Sequence, residues 1–239
     1  MRVISISAGA KVVINAMKLS DGKTLVMIGD SITDCDRKRP YGEGRWPATG
    51  RGYVSLVEAL IQVRYPDRRI RIVNMGVSGN TVRDLQARWE SDVEALKPDW
   101  VSIMIGINDV WRQFDLPAIP STHVYLEEYE AALEELVART KPQTEGIVLM
   151  TPFYIEPNRD DPMRAMMDRY GAAVKRIAEK YGTLFADTQA AMDALTAHKY
   201  PAELAWDRVH PNMAGHMALA RAFLDAVGFE WFGRGVPQA

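Results

Sequence analysis

The chain has 239 residues, 47% of them hydrophobic and 25% charged. That is the balance of a soluble globular protein, long enough for one large α/β domain or two small ones. A formal net charge of -2 argues against a nucleic-acid or acidic-membrane partner. The one cysteine, Cys35, excludes an internal disulfide and fits a reducing compartment. No run approaches the roughly 20 apolar residues of a membrane helix, so a cytoplasmic location is expected.

Residues 1–16 read as a weakly patterned extension, since Lys11 breaks the apolar run that a secretion signal needs. Met17-Lys18-Leu19-Ser20 looks like a natural beginning, and a single domain is expected over residues 17–239. Thr24 to Ile28 are continuously apolar or β-branched and run into Gly29-Asp30-Ser31, which reads as a strand buried on both faces. Ser31 then stands just past the strand's carboxyl end, where open α/β sheets place ligands. Taken alone, Gly-Asp-Ser is equally an ordinary turn.

The stretch 37–52, with Pro40, Gly42, Gly44, Pro47 and Gly50, is a long loop. It leads into an amphipathic helix to Tyr65, with Val54, Val57, Leu60 and Ile61 on one face. A second strand, Arg69 to Asn74, ends in Gly76-Val77-Ser78-Gly79-Asn80-Thr81, and Asn80 or Thr81 can cap a helix over 82–96. A third strand, Trp100 to Ile105, ends in Gly106-Ile107-Asn108-Asp109, followed by a polar, Pro-containing loop from Trp111 to Thr122. Helices are expected over 124–140, 163–181, 188–198 and 212–227, with further strands at 146–151 and 183–187. Strands alternating with helices imply a parallel sheet covered on both faces.

Acyl transfer needs a nucleophile, a base for its proton, and donors aimed at the developing oxyanion. If the first three strands are neighbours, their polar turns converge. Ser31 supplies a hydroxyl and its own N–H, Gly79 can offer a backbone N–H, and Asn108 a side-chain amide. Among the four histidines, His123 and His198 sit at helix edges and read as solvated, and His216 reads as a surface or capping group within the last helix. His210 differs, because Asp207 precedes it by three residues in irregular chain. That spacing lets a carboxylate bond Nδ1 and leaves Nε2 free for the serine.

Gly29-Asp30-Ser31, Gly79, Gly106-x-Asn108-Asp109 and Asp207-x-x-His210 occur in order, and with them the chain resembles the SGNH (GDSL) hydrolase family over about residues 24–230. The stretches Ser-Gly-Asn-Thr-Val-Arg, Gly-Ile-Asn-Asp-Val-Trp-Arg and Trp-Asp-Arg-Val-His-Pro look most like that family's acetylxylan esterases. The resemblance implies a flavodoxin-like three-layer α/β/α sandwich on a five-stranded parallel sheet. It implies Ser31 as nucleophile, His210 as base and Asp207 as its orienter, with an oxyanion hole from Ser31, Gly79 and Asn108. No metal or organic cofactor is implied.

The expected substrate is a short acyl ester of a sugar hydroxyl, most naturally acetate on xylo-oligosaccharides, with Trp111 and Trp206 flanking the site as rigid walls. A generic short-chain esterase or thioesterase is the alternative. Two remoter readings are a two-metal phosphoesterase built on Asp30, Asp34, Asp36, Asn108, Asp109, Asp207 and His210, and a non-catalytic carbohydrate-binding protein. Cys35 reads as a small buried thiol, and Asp30 and Asp109 as braces of their loops. Trp89 and Trp100 read as core. Homo-oligomerisation is expected, with Phe229, Trp231 and Phe232 as an apolar surface for it.

Overall fold

The computed structural model describes residues 17–231. The expectations about residues 1–16 and about Phe232 therefore lie outside the described residues. Five strands form one all-parallel sheet in the order β2-β1-β3-β4-β5. They are β1 (Thr24–Gly29), β2 (Arg71–Asn74), β3 (Trp100–Met104), β4 (Gly146–Met150) and β5 (Leu184–Ala186). Every residue of β3 and β4 is buried, as expected of parallel strands with helices on both faces.

The helices among the described residues are α1 (Ser31–Asp34), α2 (Tyr53–Arg64), α3 (Val82–Asp92), α4 (Ile107–Asp115), α5 (Leu126–Thr140), α6 (Pro162–Tyr181), α7 (Thr188–Thr196), α8 (Pro201–Leu204) and α9 (Met213–Ala226). On one face α9 packs against α2 and α7; on the other α5 packs against α3 and α6. This is the expected three-layer sandwich. Its order reverses between β1 and β3, so their carboxyl ends open the crevice in which such sheets bind ligands.

Several local expectations change for identifiable reasons. The second strand starts at Arg71, because the Arg69 N–H is taken by the Asp21 carboxylate at 2.7 Å. The loop expected from Trp111 onward is helical as far as Asp115. Ile107, Val110, Trp111 and Phe114 follow the i, i+3, i+4, i+7 pattern of a helix face, and the Gly106 turn, with φ of 129°, starts the helix at once. His123 is buried, its ring bonded to the Leu116 carbonyl at 3.0 Å and near the Tyr125 hydroxyl at 3.3 Å. His198 is exposed, as expected.

Both core tryptophans are buried, and Trp89 donates from Nε1 to the Thr140 hydroxyl at 3.1 Å. Phe229 is not free for association: it is buried edge-on against Tyr65, with ring centroids 5.7 Å apart, and Trp231 meets Phe229 edge-on at 4.8 Å.

The strand β1 can reach its turn only because Gly29 has no side chain. A Cβ there would stand 2.3 Å from the Met104 carbonyl oxygen and 2.4 Å from the Thr33 hydroxyl. Gly29→Ala should therefore lower the unfolding free energy by about 1–3 kcal/mol, the usual range for overpacking. Urea denaturation followed by far-UV circular dichroism measures it.

Candidate active site

Three turns meet at the carboxyl ends of β1, β2 and β3. After β1, Asp30 caps α1 by accepting the Ile32 N–H at 3.0 Å. That leaves Ser31 as the first helical residue, with its N–H among the helix-start donors that no acceptor of the described residues takes up. Its half-buried hydroxyl lies 2.8 Å from Nε2 of His210. His210 Nδ1 in turn lies 2.7 Å from Asp207 Oδ2, while Asp207 Oδ1 accepts the backbone N–H groups of Val209 and His210 at 3.0 and 2.9 Å. Burial opposes ionisation of Asp207, yet the bonds from the His210 ring and the two N–H groups outweigh it and hold the carboxyl below its ordinary range. The imidazole thus has a charged partner at one nitrogen and the serine at the other.

After β2, Gly79 takes a φ of 81°, and a Cβ on it would meet nothing within 4 Å. The backbone conformation, not crowding, is what demands glycine, and the space beside it is open. After β3, Asn108 is buried, and its amide is oriented from both ends. Arg112 donates to Oδ1 at 3.2 Å while Nδ2 donates to the Asn80 carbonyl at 2.9 Å. One Nδ2 hydrogen remains for a ligand. Ser31, Gly79 and Asn108 therefore stand in turns after three neighbouring strands, with Asn108 tied to the Gly79 turn through the Asn80 carbonyl.

Arg88 and Asn74, to which the sequence reading gives no role, and Asp34, which it offers only as a metal-ligand candidate, hold these turns in register. Arg88 of α3 donates to the carbonyls of Gly29 (3.0 Å) and Met75 (2.7 Å) and to Asn80 Oδ1 (2.7 Å). Asp34 accepts from the N–H and hydroxyl of Ser78, at 3.1 and 3.0 Å, and from Arg39 at 2.6 Å. Asn74, fully buried at the end of β2, donates to the Thr33 and Thr49 carbonyls and accepts the Gly76 N–H. A polar residue closing an apolar strand was a visible signal for Asn74; nothing in local sequence marks Arg88.

The two tryptophans part company. Trp111 is half-buried on α4, its ring 6.0 Å from that of His210. Trp206 is 87% exposed and forms no wall.

Two other groups correct the expectations. His216 is buried, not superficial, and burial lowers its pKa to about 4. Its Nε2 lies 3.5 Å from Cys35 Sγ. Cys35 is half-buried rather than buried, and burial and the nearby Asp34 push its thiol up to about 12, which disfavours the reactive thiolate. Among the described residues no group of three or more His, Cys, Asp or Glu side chains is disposed to hold a metal ion.

Asp30 and Asp109 brace their loops. Asp109 receives the Val82 N–H at 2.9 Å, and burial raises both carboxyls to about 7.

A parallel sheet in this order, with serine, histidine and aspartate in hydrogen-bonded series at its carboxyl edge, defines a serine-type carboxylic ester hydrolase. The chain belongs to the GDSL-like lipase/acylhydrolase family, whose model matches residues 27–218. It is 64% identical over 215 residues to the acetylxylan esterase of Geobacillus stearothermophilus, a match covering 90% of this chain and 98% of that one. The crystal structure of an acetylxylan esterase from the same organism matches with a TM-score of 0.90 at 63% identity, over 91% of this chain and 100% of that one. An α/β-hydrolase from the metagenome of Lake Arreo, Spain, matches with a TM-score of 0.87 at 57% identity, over 89% of this chain and 98% of that one. Solved variants of the Geobacillus enzyme include catalytic mutants in which a serine, an aspartate or a histidine is replaced by alanine.

The raised carboxyls have a consequence for stability. Asp109 keeps its proton in the fold up to about 7, whereas its ordinary value is 3.8. Between those values the folded state binds the extra proton, so this group's contribution falls as pH rises. Asp109→Asn keeps an acceptor for Val82 and removes the titration. Its melting temperature relative to wild type should climb from pH about 4 to about 7 and be flat below that window.

Proposed function

We propose that the protein removes acetyl groups from sugar hydroxyls, with acetylated xylo-oligosaccharides as substrates. The observation that carries this is the Ser31–His210–Asp207 line, at 2.8 and 2.7 Å, in a chain so similar to an acetylxylan esterase. In the relative's catalytic mutants the altered aspartate likewise stands three residues before the altered histidine.

In this reading His210 Nε2 takes the Ser31 proton as Oγ attacks the acetyl carbonyl. The N–H groups of Ser31 and Gly79 and the free Asn108 Nδ2 hydrogen receive the oxyanion. Collapse expels the sugar oxygen, to which His210 returns the proton, and leaves an acetyl-serine. Water, deprotonated by His210, then releases acetate. Asp207 keeps the imidazole in the tautomer with the proton on Nδ1 and stabilises the imidazolium that forms. Trp111 lines the site beside His210; Trp206 offers an exposed ring to a bound sugar.

The reading extends to one domain from residue 17 onward, supported by the burial of Met17 and by the Lys18 N–H bonded to the Val227 carbonyl at 2.8 Å. It includes a cytoplasmic location, in keeping with a free Cys35. It also includes self-association, to which the buried Phe229 offers no free surface.

Two measurements test the function. Ser31→Ala should abolish turnover with the circular dichroism spectrum unchanged, and Asn108→Ala should lower kcat by about 10²–10³-fold, the size of one oxyanion donor. A chain-length series of p-nitrophenyl esters should be fastest at acetyl, with acetate released from acetylated xylo-oligosaccharides. Faster octanoyl cleavage, or no acetate from the sugar, would leave only a generic serine esterase.

A further inference from the structure

We propose that the hollow beside Trp111 is a subsite for the leaving group, taking one neutral pyranose ring of the oligosaccharide; the proposal rests on the deacetylase reading above. The hollow has a volume of about 320 Å³ and is lined by Trp111, Phe114 and Asp115 of α4, by Tyr154 and Asp161 of the β4–α6 connection, and by Pro162 and Met163 at the start of α6.

Trp111 joins it to the reacting groups, with its ring 6.0 Å from that of His210. The expelled sugar oxygen must collect its proton from His210, so the sugar chain has to leave along whatever surface adjoins that ring. On this side the surface is the Trp111 wall. The other tryptophan, Trp206, is 87% exposed and encloses nothing.

The lining suits a sugar. Three aromatic side chains line it, the kind of surface that takes the C–H face of a pyranose ring, and the Asp161 carboxylate can accept from hydroxyls, while Asp115 is ion-paired with Arg112, whose guanidinium lies 4.9 Å over the Trp111 ring. The Asp161 carboxylate disfavours an anionic ligand. The volume lies at the low end of the roughly 300–1,000 Å³ of small-molecule sites, enough for a ring and short for an extended acyl chain. A larger hollow of about 660 Å³ runs between β5, α7 and α9, but it is lined mostly by alanines and includes none of the site residues.

The walls are also fixed in advance. The amide of Gln189 holds both backbone groups of Tyr154, accepting its N–H at 2.8 Å and donating to its carbonyl at 3.1 Å. Asp161 caps α6 by accepting the Arg164 N–H at 3.0 Å. The buried Arg164 side chain binds the Glu156 carbonyl and, with two nitrogens at 2.8 and 2.7 Å, the Asp193 carboxylate. Little ordering is left for binding to impose.

Phe114→Ala and Tyr154→Ala test the proposal, each assayed on acetylated xylotriose and on p-nitrophenyl acetate. For each variant KM on the oligosaccharide should rise roughly tenfold, the upper size of one aromatic contact, and exceed by severalfold any change on p-nitrophenyl acetate. Tyr154→Phe keeps the ring and should stay close to wild type on the oligosaccharide, which separates loss of stacking from loss of folding. Equal losses on both substrates, or wild-type kinetics in both alanine variants, would overturn the subsite while leaving deacetylation intact. If the wild type itself released no acetate from the oligosaccharide while cleaving p-nitrophenyl acetate, the sugar reading would fall and the subsite with it.

Discussion

The Arg88 guanidinium is the interaction on which the site's geometry depends. From α3 it reaches the carbonyls that end β1 and follow β2, and the side chain of Asn80 in the Gly79 turn, while Asp92 neutralises it at 2.6 Å. Each of those carbonyls lies at or just past a strand end, and the Gly29 carbonyl also accepts the Val77 N–H at 3.0 Å, so a donor with a fixed fork that reaches both carbonyls fits where a point charge would not. Burial lowers the Arg88 pKa against the pull of Asp92, and a buried cation of this kind is expensive to leave unpaired. The oxyanion donors come from separate turns, and this one side chain spans two of them. Asn108 completes the set by donating to the Asn80 carbonyl, so the third turn is tied to the second.

Environment sorts chemically identical groups into different roles. Asp30, Asp109 and Asp207 all lie near Ser31 in the fold or in the turns around it. The first two are fully buried, each receives a backbone N–H, and both are pushed up to about 7. Asp207 is half-buried, collects three donors, and is held as a carboxylate. The histidines divide in the same way: His216, dry and beside the Cys35 thiol, stays neutral, while His210 stands exposed between serine and carboxylate. Only the latter environment can exchange a proton with a substrate.

Much of this was legible in sequence because it rests on local patterns. The buried runs of β1, β3 and β4 are continuous, the Gly-containing turns follow the strands, and Asp207-x-x-His210 is short enough to be read as one unit. What escaped depends on distant partners. Arg88 looks like any polar helical residue until Gly29 and Met75 are brought to it, and His123 looks solvated until Leu116 folds back over it. Trp111 reads as loop because polar neighbours and Pro117 outweigh a four-residue apolar period. Its exposure could not be told from that of Trp206, since both flank the same crevice in sequence. Exposure belongs to the packed molecule and not to the neighbours along the chain.

The pairing of Asp207 with His210 spans three residues, whereas that of His210 with Ser31 spans 179. The acid and the base can therefore associate by local turn formation, at little loop-closure entropy. Their meeting with the serine joins the C-terminal part of the chain, where α9 packs on α2, to the N-terminal strand. During refolding, regain of ester cleavage thus reports a contact of high sequence separation. It should lag the return of helical ellipticity, since contacts of high sequence separation form slowly.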